Sequence, residues 1–123
     1  MGEFLSSRFV LAVPDLRAST SFYMEVLGFN RDFGDESDGW SFLSRENVRL
    51  MLGHCPDALP AKDLGDHSYV AHIILDGIEE LYQTVQNHGV ELVQPLEVTP
   101  WGLREFGIRT IDGHRIMFGE VIS

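Results

Sequence analysis

At 123 residues, with 44% hydrophobic and 11% aromatic content, the chain has the length of one domain and the composition of an ordinary globular protein. A formal net charge of −10 has the wrong sign for tracking phosphates, whose affinity comes from Lys and Arg displacing counterions, so nucleic acid is a poor partner. No apolar run approaches the roughly 20 residues that span a bilayer and MGEFLSSRF lacks a basic-then-apolar leader, which points to the cytoplasm and no membrane partner, while Cys55, the single cysteine, excludes an internal disulfide and a multi-thiolate zinc site.

In chain order, Arg8 to Val13 (RFVLAV) reads as a short apolar strand that Pro14 interrupts, and Asp15 is placed to cap a helix by accepting from amides of its first turn. Leu16, Thr20, Tyr23 and Leu27 form one stripe at helical spacing, and Gly28 stands where a helix stop wants positive φ. Three strands are predicted next, at Phe29 to Phe33, Gly39 to Ser44 and Val48 to Leu52. From Gly53 to Asp66 small and polar residues punctuated by Pro56, Pro60 and Gly65 read as a crossing loop. Ser68 to Leu75 (SYVAHIIL) is again a strand. Asp76, with Glu79 three residues on, predicts a helix start, Ile78, Leu81, Tyr82 and Val85 one buried face, and Gly89 its end. Val90 to Leu96 is a strand, followed by a hairpin in PWGLREFGIRTIDGHRIMFGE, where Asp112-Gly113 predicts a two-residue turn with both central residues at positive φ. In its arms Phe106 and Ile108 alternate with Glu105, Gly107 and Arg109, and Ile116 and Phe118 with Arg115 and Met117, so each arm has two unlike faces.

The order β-α-β-β-β therefore occurs twice. Asp15 and Asp76, Gly28 and Gly89, and Trp40 and Trp101 each lie 61 residues apart, which indicates an internal duplication. One domain is expected over 1–123, made of modules at about 5–53 and 67–122 joined by a loop at 54–66. Duplicated modules tend to enclose a site where they meet.

The twofold repeat carrying VPDLRASTSFYMEVLGF, DGIEELYQTVQNHGV and PWGLREFGIRTIDGHRIMFGE resembles the vicinal oxygen chelate superfamily of glyoxalases, extradiol dioxygenases, fosfomycin-resistance enzymes and bleomycin-resistance proteins. The resemblance implies an α+β fold in which tandem βαβββ modules form curled mixed sheets around a cleft, helices outside, often in a homodimer. Metal-dependent members place ligands at three strand positions that here read Arg8, Ser68 with His67 beside it, and Met117. Arginine stays protonated and a thioether is a soft ligand, so no metal is expected. The fallback set is His67, His72 and Glu120, holding a divalent ion such as Ni, Zn, Mn or Fe. His67 and His72 are five apart and so point to opposite faces of a regular strand, while Glu120 shares the parity of Ile116 and Phe118 on the helix-facing side.

Strand parity makes Arg8, Val10, Val70, His72, Glu105, Arg109, Arg115 and Met117 the cleft wall, with Trp40 and Trp101 at equivalent points of the two modules. Glu105 and Arg109 are placed to pair along one strand face, and Phe42 and Phe106 are assigned to the core. Two tryptophans plus a few charges suit a flat or cationic organic ligand, through stacking and cation–π contacts of about 0.5–2 kcal/mol. The run Gly39-Trp40-Ser41-Phe42-Leu43-Ser44-Arg45 resembles the bleomycin-resistance branch. The expected function is accordingly that of a metal-free small-molecule binding protein sequestering a cationic or aromatic ligand. The alternatives are a metal-dependent glyoxalase-type lyase or dioxygenase, and a domain that only dimerises.

Overall fold

The computed structural model describes residues 2–122, apart from the side chains of residues 36, 66 and 67. The first module consists of β1 (Phe9–Val13), α1 (Leu16–Glu25), β2 (Asn30–Phe33), β3 (Trp40–Arg45) and β4 (Val48–His54). The second consists of β5 (Tyr69–Ile74), α2 (Ile78–Asn87), β6 (Glu91–Val98), β7 (Leu103–Arg109) and β8 (Arg115–Val121). Strand order is β1-β4-β3-β2 in one sheet and β5-β8-β7-β6 in the other, so the strand that opens each module pairs in parallel with the one that closes it. The α+β class and the repeated order are those read from the sequence, and each sheet stays open. β4 runs on to His54 because Gly53 pairs with both Ala12 and Trp40, and His54 with Val13.

Alternation decides what each sheet buries. Leu11, Val13, Leu43, Leu50 and Leu52 point to α1, and Phe106, Ile108, Ile116 and Phe118 to α2, in one shared core with Tyr23, Leu27, Ile78, Leu81 and Val85. Burying one such side chain contributes about 1.5–3 kcal/mol. The modules meet through these helix-bearing faces: Leu11, Tyr23 and Leu50 approach Val70, Ala71 and Ile116 around a void of about 10 Å³. The other face of each sheet therefore turns away from the core, and one chain does not bring its two open faces together.

Three local expectations are corrected. Asp15 caps α1 as expected, accepting from the Ala18 amide at 3.1 Å, but Asp76 does not cap α2. The N-cap is Gly77, left-handed at φ 84°, which leaves Asp76 outside the first turn. With no side chain at the cap, the carboxylate of Glu120 on β8 accepts from the amides of Gly77 and Ile78, both at 3.2 Å. Glu79 pairs with Arg104 rather than closing a capping box.

The Asp112-Gly113 turn is also different. Thr110 O accepts from the Gly113 amide at 2.9 Å and the Thr110 amide donates to His114 O at 2.8 Å, closing a three-residue loop. Only Gly113 takes positive φ, at 90°, which makes this a type I turn followed by a glycine bulge. Finally, β5 is irregular between Tyr69 and Ala71. An extra residue in a strand breaks its alternation, so Val70 joins the core side while His72, two residues on, faces the open side.

Candidate functional site

On the open face of the first sheet, Arg8 lies across the strands, its Nη1 donating to Leu43 O at 3.3 Å and Leu50 O at 3.2 Å. Its guanidinium sits 5.3 Å from the Phe42 ring centroid and 5.7 Å from Phe33, with Asp32 3.6 Å away. Phe33 and Phe42 stack at 4.3 Å. Phe42 is thus on the open face, at the parity of Trp40, and not in the core, whereas Phe106 is fully buried. Trp40 packs against Gly53, where a Cβ would lie 2.8 Å from the indole. Glycine there is what seats the ring.

The open face of the second sheet carries a different chemistry. His72 Nε2 donates to Glu105 at 3.0 Å, and Gln94 Nε2 reaches the other Glu105 oxygen at 3.4 Å. Glu105 is only 6% exposed although it lies on an otherwise open face. The two residues are not direct cross-strand neighbours, since His72 aligns with Met117 and Glu105 with Gly119. The contact therefore runs diagonally across β8. Gly107 makes room for the Met117 thioether, because a Cβ there would overlap its sulfur. Met117, His72 and Glu105 therefore form one patch.

The other predicted residues are placed elsewhere. Arg109 donates to Gly113 O at 2.8 Å and lies 3.4 Å from Glu91, so it clamps the hairpin turn and leaves Glu105 to His72. Trp101 is not the structural counterpart of Trp40: it lies in the turn between β6 and β7, 66% exposed. Ser68 is buried, its hydroxyl donating to Gly65 O at 3.2 Å. The His67 side chain lies outside the described residues.

A catalytic metal does not fit these donors. Arg8 is a cation, Met117 offers sulfur, and Glu120 is held by the amides of α2 on the helix side. Among the described residues no cluster of three or more His, Cys, Asp or Glu side chains is arranged to hold an ion.

A second polar cluster joins the modules. The Ser19 hydroxyl of α1 donates to Asp112, 2.8 and 3.0 Å from its two oxygens. Burial pushes the Asp112 carboxyl above its usual range, against the pull of Ser19 and His114. Burial likewise pushes His114 down, against the pull of Asp112. Buried Tyr23, one turn after Ser19, has its phenol raised by burial and then by Asp112. Neither its hydroxyl nor His114 Nδ1 has a hydrogen-bond partner among the described residues.

Parity alone, applied to Phe42 as it was to Trp40, finds the aromatic pair of the first sheet. Gln94 lay beyond sequence reasoning because β6 pairs irregularly on either side of it.

Two open sheets with helices on one side only, in a twofold β-α-β-β-β repeat, define a duplicated α+β module protein with two uncovered sheet faces. The chain belongs to the Glyoxalase/Bleomycin resistance protein/Dioxygenase superfamily, whose model matches residues 6–118. Among solved structures it is similar to the bleomycin-binding protein from bleomycin-producing Streptomyces verticillus, crystallised with copper(II)-bleomycin, at 25% identity and a TM-score of 0.71 over 100% of this chain and 99% of that one. It shares its fold with a bleomycin resistance determinant encoded on transposon Tn5, at 22% identity and a TM-score of 0.77 over 96% and 98% of the two chains. TioX from Micromonospora sp. ML1 is similar at 23% identity and a TM-score of 0.72, over 95% of this chain and all of the other. No curated protein matches the sequence.

Proposed function

We propose that the chain is a metal-free small-molecule binding protein whose cleft forms between two copies, the first-module sheet of one facing the second-module sheet of the other. One observation carries this reading: both open faces point away from the shared core and expose apolar side chains, among them Val10 (61%) and Phe33 (57%) on the first sheet and Ile74 (52%) on the second. Uncovered apolar faces of this kind mark interaction or ligand surfaces. Their chemistries are complementary, one presenting Arg8 among aromatic rings and the other the buried Glu105 with His72.

In this arrangement Trp40, Phe33 and Phe42 stack against a flat or cationic ligand, and Glu105 accepts from its cationic end. The patch on β5, β7 and β8 orients the ligand, and the packed rings of the facing wall exclude water. Sequestration needs no bond to be made or broken, and none of these residues is assigned a proton transfer. The relative that binds copper(II)-bleomycin supports a role in antibiotic resistance.

Light scattering and a thermal-shift screen of cationic and aromatic antibiotics, copper(II)-bleomycin included, test the reading. The expected result is a dimer at micromolar concentration and a ligand whose stabilising effect falls in both Trp40→Ala and Glu105→Gln. A protein that stays monomeric and responds to none of the compounds would overturn it, as would near-stoichiometric metal retained through dialysis.

A further inference from the structure

A groove runs between the modules on their helix-bearing side, with Ile74 at the end of β5 the one residue it shares with those named above on the open faces. Its main part, about 360 Å³, is walled by Leu27, Phe29 and Val48 from the first module and Ile73, Leu81 and Phe118 from the second. Leu27, Phe29, Val48 and Ile73 also line the inner void, so the groove is apolar inward from the surface. That volume falls within the roughly 300–1,000 Å³ of small-molecule clefts.

The mouth is charged. Arg45, Glu46 and Asp76 stand there, and Glu25 and Glu80 line the shelf that continues from it. Arg45 is already engaged, with Nη1 donating to Leu27 O at 2.7 Å and Nε 3.6 Å from Glu46. Asp76, Glu80 and Glu25 have no ion-pair partner among the described residues. Asp76 is also released from the capping role its position suggests, because Glu120 holds the amides of Gly77 and Ile78. A carboxylate with no structural task thus faces the end of an apolar groove.

We propose that this groove is a second small-molecule site, taking a compact apolar molecule with one protonated amine, its body along Leu27, Phe29 and Phe118 and its ammonium at Asp76. The apolar walls favour the body by removing it from water, and the surplus of carboxylates selects the cation over an anion of the same shape.

The test is a titration of ¹⁵N-labelled protein with cyclohexylmethylamine and, separately, with cyclohexanecarboxylate. The amine produces saturable amide shifts at Gly28, Asn47, Leu75 and Asp76, and the carboxylate binds at least about tenfold more weakly. Asp76→Asn, a change at an exposed side chain, weakens the amine roughly three- to tenfold, whereas Trp40→Ala leaves it unchanged. Equal binding of the two probes, an absence of saturable shifts at those amides, or full affinity in Asp76→Asn overturns the proposal. Groove amides that shift with protein concentration alone would show a second copy in the groove and overturn it too.

Discussion

The two modules share topology, strand pairing and a glycine at positive φ beyond each helix, yet they differ in how the helix begins and in what the open sheet face carries. α1 is capped by Asp15, which directly precedes it, whereas α2 begins at a bare glycine and borrows the carboxylate of Glu120. The first open face is aromatic with an embedded arginine; the second is a histidine–carboxylate patch beside the Met117 thioether, which Gly107 admits. The core and the strand pairing are thus common to both modules, while the helix cap and the solvent-facing side chains differ. The only strict requirement on a cap is an acceptor near the free amides, so it can come from another strand.

The comparison breaks most visibly at the core. Phe106→Ala, at a side chain with no exposure, is expected to cost about 3–5 kcal/mol in urea unfolding. Phe42→Ala on the open face should cost far less, and equal losses would mean that the open face is already packed in the single chain. Next in size, Glu120→Ala should cost about 1–2 kcal/mol by stranding two amides, as much as Asp15→Ala or more, while Asp76→Ala costs nearly nothing. A larger loss for Asp76 than for Glu120 would restore the local cap.

A smaller effect depends on pH. His114 titrates below its ordinary 6.5 in the folded protein, so between that lowered value and 6.5 the unfolded chain binds more protons and stability falls as pH drops. Asp112 titrates above 3.8. The folded state therefore binds more protons there, and this contribution runs the other way, rising as pH falls through the raised value. His114→Asn should flatten the decline in urea midpoint between about pH 7 and 5, and an unchanged slope would place the titrating group elsewhere. The smallest effect is at Trp101. Its loss to Ala should leave monomer stability within about 0.5 kcal/mol, in contrast to Trp40, which is seated on Gly53.

Periodicity in the sequence was enough to read both helices, eight strands and the duplication, because alternation and helical spacing are local consequences of which face is buried. What was not legible depended on distance or on a single extra residue. One bulge in β5 separates Val70 from His72, though simple parity gives them one face. The partner of Glu105 proved to be His72, 33 positions earlier and across a strand, and not Arg109, which the hairpin turn claims. Which faces of the modules meet is equally hidden, since the helix side and the open side of each sheet both carry apolar residues.

The remote cap on α2 also bears on the order of events during folding. α1 has its acceptor in hand as soon as its own first turn forms. The start of α2 waits for a residue 42 positions downstream, so the closing strand must arrive before that end is secured. Long sequence separation slows such steps. During synthesis the first module can settle while the second is still emerging, and α2 should be among the last elements to gain protection from hydrogen exchange.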